Sequence, residues 1–122
     1  MKITPLPTTG PDDRGFTAEY FHERNGKHLL LFRKAGTISG RHYHKGISPA
    51  KDPEILILVH GDLRINWRHV DSTDIQTQQV SGPAEIRIPP FIWHEVISVT
   101  DCFSVEQNSI EEHVADLFFP ER

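Results

Sequence analysis

The chain has 122 residues, one domain's length, with 37% hydrophobic residues and a formal net charge of -4. It carries no basic run and no apolar run of about 18 residues, which excludes a nucleic-acid footprint and a membrane-spanning helix. The single Cys102 forms no intramolecular disulfide and suits a reducing compartment, and residues 1–13 hold three prolines and no apolar core of a signal peptide, so a cytoplasmic location is expected.

In chain order, period-two patterns dominate. Residues 17–23 alternate weakly, 28–35 form a dense apolar run, and 37–44 alternate in small and polar residues. Residues 54–60, EILILVH, read as the strongest strand, and Gly61-Asp62 turns the chain into 63–68. Further strands are predicted at 75–80, 84–88, 94–100 and 103–107, separated by turn signals such as Asn25-Gly26, Ser81-Gly82-Pro83 and Pro89-Pro90. Only residues 110–119 suit a short helix, ahead of Pro120. The sum is an all-β, single-domain sandwich or barrel, with the barrel at about 28–107, an N-terminal segment 1–27 and a tail 108–122.

In the strand 54–60, Glu54, Leu56 and Leu58 share one face and Ile55, Ile57 and Val59 the other. A strand apolar on both faces is covered on both, by a second sheet or by a partner subunit, so a homodimer is expected. The tail residues Leu117-Phe118-Phe119 either fold back on the barrel or cross to that partner.

Eight histidines are present, and His42 and His44 stand at i and i+2, which places both rings on one face of a strand. Glu54 opens the strongest strand, and His94 follows the proline pair. Three imidazoles and one carboxylate suit a divalent metal such as Zn, Fe, Mn or Ni, with positions left for water or substrate. Taken singly, a His-x-His on a surface strand is two solvated side chains.

As a set, these residues resemble the cupin signature. Gly36, five residues, His42-Tyr43-His44, then Glu54, six residues and Gly61 follow the first cupin motif. Nine residues, KGISPAKDP, separate His44 from Glu54 where the family has three or four, and they read as a surface loop inserted at the barrel mouth. The second motif is met by Pro89 and His94, with Phe91 where the family has glycine and Ser98 where it has asparagine. The resemblance implies a cupin jelly-roll barrel with His42, His44, Glu54 and His94 as metal ligands.

Two shorter strings narrow the resemblance. Gly40-Arg41-His42-Tyr43-His44-Lys45 and Asp12-Asp13-Arg14-Gly15-Phe16, followed by Glu19 and Phe21, are similar to strings of cupin sugar-nucleotide epimerases and ketoisomerases such as dTDP-4-dehydrorhamnose 3,5-epimerase. That likeness implies that Arg14 binds a nucleotide diphosphate and that a histidine acts as base. The rhamnose-pathway enzymes work without metal, and zinc-dependent epimerase cupins match the ligand set better.

Epimerisation beside a ketone needs a base for the α-proton and a positive group for the enolate. His60, on the face of Glu54, and His94 are the catalytic candidates, although His60 beside Gly61 also reads as an exposed turn residue. Arg14, Arg41, Lys45 and Trp93 are the substrate-binding candidates, for a small polar or anionic ligand. Two other chemistries use the same ligand set: an Fe(II)-dependent cupin dioxygenase, and a non-enzymatic module binding a small ligand or a structural metal.

Overall fold

The computed structural model describes residues 1–120, in which short strands pack as two antiparallel sheets. The first sheet has the order β1 (Lys2–Pro5), β9 (Ala84–Ile88), β6 (Glu54–His60), β11 (Cys102–Glu106), β4 (Leu29–Arg33). The second has the order β5 (Ile38–His42), β10 (Ile92–Ser98), β7 (Asp62–His69), β8 (Gln76–Ser81). Leu56, Leu58, Ile86 and Ile88 from one sheet meet Leu63, Ile65, Val80 and Ile92 from the other, and this alternation builds the core. The all-β jelly-roll sandwich expected from the sequence is the architecture observed.

The N-terminal third departs from expectation. A strand was expected over 17–23; instead β2 (Thr8–Asp12) and β3 (Gly15–Ala18) form a separate hairpin sheet, and residues 19–28 hold no regular element. That segment runs along the outer face of the first sheet, where side chains replace a strand ladder. Gln107 donates to the carbonyl of Phe21 (2.8 Å) and accepts from the amide of Glu23 (2.9 Å), and Glu23 pairs with Arg87. Ile55 and Ile57 are buried at 0% and 2% exposure in the single chain, so much of the outer face of β6 needs no partner subunit to cover it.

The tail folds back on its own barrel. The helix α1 covers only Ile110–Ala115, and an amide–carbonyl exchange between Phe118 and Tyr43 then closes the chain over β5 (2.9 and 3.0 Å). Ser109 and Glu112 start α1 with a reciprocal capping box. Asp116, fully buried, ends it and is bound by the amides of Lys45 and Ser48. The last two residues of the expected tail, 121–122, lie outside the described residues.

The insertion after His44 is not the free surface loop expected. Its Pro49–Lys51 stretch is a 3-10 turn whose Ala50 and Lys51 are buried, at 3% and 0% exposure. Asp116 holds its start, Ser48 caps the turn, and Arg24 binds the carbonyls of Ala50 (2.9 Å) and Pro53 (3.0 Å). Each of these bonds satisfies a group that a mobile loop would leave to water.

Candidate functional site

Two β-bulges decide which histidines face the interior. In the β5–β10 pairing, Ser39 lies opposite Val96 and Gly40 opposite Glu95, but His42 lies opposite His94, so Arg41 is an extra residue. Gly40 and Arg41 both take left-handed φ, at 86° and 64°, which makes the bulge. One extra residue inverts the alternation, so His42 turns inward beside His94 while Arg41 turns outward to Glu95 (2.9 Å). The second bulge lies between β6 and β11, where Phe103 opposes His60 and Ser104 opposes Leu58, leaving Val59 over. It turns His60 out of the face it would share with Glu54, and His60 is exposed beside Gly61. The expected inward-facing base at His60 is therefore corrected.

His42, His44 and His94 each bring a ring nitrogen within 4.8 Å of the others. His44 Nδ1 donates to the carbonyl of Asp116 (2.5 Å) and His94 Nδ1 to the carbonyl of Ile92 (3.0 Å). A carbonyl only accepts, so each ring carries its hydrogen on Nδ1 and, when neutral, leaves Nε2 bare. Those lone pairs point at one carboxylate oxygen, Glu54 Oε2, at 2.7 Å from His44 and 3.8 Å from His94. His44 Nε2 and Glu54 Oε2 are buried and have no hydrogen-bond partner, because neither carries a hydrogen to share. Acceptors converging at this distance favour a positive charge among them, and the cluster of His42, His44 and His94, with Glu54 against two of the rings, fits a divalent cation.

Three residues that the sequence did not single out complete the interior. Lys51 Nζ lies 3.6 Å from Glu54 Oε2, 3.5 Å from Glu106 Oε2 and 3.0 Å from His113 Nδ1. The His113 ring stands 5.3 Å from those of both His42 and His44. Burial, with His94 and His44 adding to it, pushes the His42 pKa down to about 3. Burial likewise pushes His113 down to about 4, with Lys51 adding to it, and lowers His94. Burial works against the Glu54 carboxylate, but the charges beside it, Lys51 at 3.6 Å among them, hold it well below the usual range. Burial and the charge of Glu54 raise Glu106 to about 7.

The cavity lined by His42, Glu54, His94, Glu106 and His113 has about 170 Å³ and lies between the edge strands β4 and β5, with Arg33, Ser39 and Ile110 also on its wall. The four expected substrate-binding residues do not line it. Arg14 sits on the β2–β3 hairpin, paired with Asp12 and 90% exposed. Arg41 faces outward to Glu95, and Lys45 lies over the Phe118 ring (4.1 Å). Trp93, one residue from the inward His94, faces outward over Arg68 (5.6 Å). Phe91, standing where the family has glycine, adopts φ 63°, the left-handed conformation that glycine takes at no steric cost.

The sequence matches the polysaccharide biosynthesis C-terminal domain family over residues 10–108, and the chain belongs to that family. Among solved structures it is similar to the capsular polysaccharide assembling protein CapF of Staphylococcus aureus, at 25% identity and a TM-score of 0.64 over 97% of this chain. The chain spans about a third of CapF, 33% of its length. It is also similar in fold to the sugar 3,4-ketoisomerase QdtA of Thermoanaerobacterium thermosaccharolyticum, solved with TDP (14% identity, TM-score 0.67, 96% of this chain and 85% of that one). A third likeness is to the dTDP-6-deoxy-D-glucose-3,5-epimerase RmlC of Legionella pneumophila (16% identity, TM-score 0.65, 96% of this chain and 70% of that one). No curated protein sequence matches at a significant level. The cupin jelly roll read from the sequence is the fold these neighbours share.

Proposed function

We propose that this domain is a cation-assisted epimerase or ketoisomerase acting on a nucleotide-linked keto sugar in polysaccharide biosynthesis. The observation that carries the reading is the pair of bare ring nitrogens, His44 Nε2 and His94 Nε2, aimed at Glu54 Oε2 inside a barrel of this family. Of the three chemistries open from the sequence, proton transfer beside a sugar carbonyl is the one that the named neighbours support, through QdtA and RmlC. A divalent cation bound by His42, His44, His94 and Glu54 would act as a Lewis acid toward a carbonyl oxygen.

The chain's own residues supply the proton handling. Lys51 can only donate, so His113 Nδ1 accepts from it and His113 Nε2 carries the ring's proton, placed to donate to an oxygen that gains charge. Glu106, with a pKa of about 7, stands near neutrality and suits removal of an α-proton. The cavity, about 170 Å³, is smaller than the roughly 300–1,000 Å³ of sites for whole drug-sized ligands, so the reacting ring enters and the nucleotide stays at the mouth. Arg33, on the cavity wall, is the guanidinium nearest in role to that expected of Arg14.

The test is solvent exchange. Nucleotide-linked 4-keto sugars incubated with the zinc-loaded protein in deuterium oxide should gain deuterium next to the carbonyl, seen by mass spectrometry. Glu106→Gln should slow that gain about 100-fold or more, in the range of one general base. No gain with any nucleotide-linked keto sugar would refute the assignment.

A further inference from the structure

Among the described residues Lys51 is the one lysine or arginine that is buried, and it is delivered by the insertion that lengthens the first cupin motif. Its ammonium stands between two buried carboxylates, 3.6 Å from Glu54 and 3.5 Å from Glu106. It approaches Glu54 at Oε2, the same oxygen that faces His44 and His94. We propose that Lys51 is a positioning residue of the cation site, a resident counter-ion that shares Glu54 with the divalent cation and so holds cation affinity below that of the ligand set alone. This rests on the cation reading of the site.

The charge arithmetic gives the direction. With neutral imidazoles and both carboxyls ionised, Glu54 and Glu106 contribute two negative charges and Lys51 one positive, so the empty site stands at -1 and a divalent cation brings it to +1. Without Lys51 the same steps run from -2 to neutral, which favours the cation in a low-dielectric interior. The Lys51 side chain is fully enclosed, at 0% exposure. The turn that carries it is tied by Asp116 to the amides of Lys45 and Ser48 and by Arg24 to the carbonyls of Ala50 and Pro53. In return, two carboxylates that would otherwise repel one another inside the barrel keep a cation between them when no metal is bound.

The test is a zinc titration of the metal-free protein by calorimetry with a competing chelator, repeated with Co(II) to read the ligand field. Lys51→Met should bind zinc at least about tenfold more tightly than wild type, Lys51→Arg should stay within about threefold, and the Co(II) spectrum should not change. Removing Lys51 leaves two buried carboxylates without a counter-ion and costs stability; the pair Glu106→Gln and Lys51→Met/Glu106→Gln tests the same step with fewer buried charges. The double variant should bind zinc at least about tenfold more tightly than Glu106→Gln alone. A purely structural role predicts the reverse, a loosened site with weaker binding and an altered Co(II) spectrum. Equal or weaker zinc binding on loss of Lys51 in either background overturns the proposal while leaving the cation reading intact. A wild-type protein that binds no zinc overturns both.

Discussion

His42 and His113 are imidazoles kept neutral by their surroundings, with pKa values near 3 and 4, and His94 is lowered in the same direction. Lys51, Glu54, Glu106 and the other rings are the charged and titratable groups that face them. The ordinary value of 6.5 applies in the unfolded chain, which therefore binds more protons than the native state below that pH. Native stability of the metal-free protein should fall as pH drops below 6.5, by about 1.4 kcal/mol per pH unit for each histidine still neutral. Glu106 acts oppositely: raised from 4.5 to about 7, it stabilises fully below 4.5 and loses that contribution as pH rises through 7. Three histidines against one carboxyl keep the net slope positive at pH 6.5, so stability should climb from pH 4.5 and level off only above about pH 7. Urea denaturation between pH 4.5 and 8 measures this, and a stability that stays flat from 6.5 down to 4.5 would show that the histidines are not held neutral. The four ligand candidates were legible from their motif spacing, although the one-residue bulge that turns His42 inward was not. Lys51, Glu106 and His113 were not, since an insertion, the far strand and the terminal helix bring them together from positions without a shared pattern.

At the scale of the element, the β5 bulge is what turns His42 inward. A Cβ on Gly40 would lie 2.8 Å from the carbonyl oxygen of His94, a backbone atom that cannot move without breaking the pairing. Gly40 also has φ 86°, which an L side chain rarely adopts. Gly40→Ala should therefore destabilise the protein by about 1–3 kcal/mol or more and loosen zinc binding, because His42 loses its place opposite His94. Intact zinc affinity in a folded Gly40→Ala protein would show that the bulge does not position His42. Period-two patterns found the strands from β4 to β11 to within a few residues. They could not show a one-residue bulge, and so they put His60 inside and gave no warning about Arg41. The strand expected at 17–23 failed because side chains of Gln107 and Arg87, remote in sequence, bind that segment in place of a ladder.

At the scale of the molecule, one edge of the first sheet still exposes apolar surface. Leu30 is 85% exposed on the edge strand β4, and Phe32 lies tilted against the Phe103 ring (4.9 Å), both rings partly exposed. An apolar, unprotected edge of this kind is where a second copy would pair, if the homodimer expected from the sequence forms. We expect a dimer by analytical ultracentrifugation and a folded monomer for Leu30→Asp; a wild-type monomer at micromolar concentration would refute the dimer. The sequence placed that contact on β6, whose Ile55 and Ile57 the chain itself covers, and the exposed surface instead lies toward β4.

The cation site is tested most directly by the metal content of the protein purified without chelator and then equilibrated with zinc. The geometry predicts about one ion per chain in the wild type, and little retained by Glu54→Gln or by His44→Ala, whose folds are checked by circular dichroism. Wild-type protein without stoichiometric metal, or variants that retain it as fully as wild type, would contradict the claim that His42, His44, His94 and Glu54 hold a divalent cation.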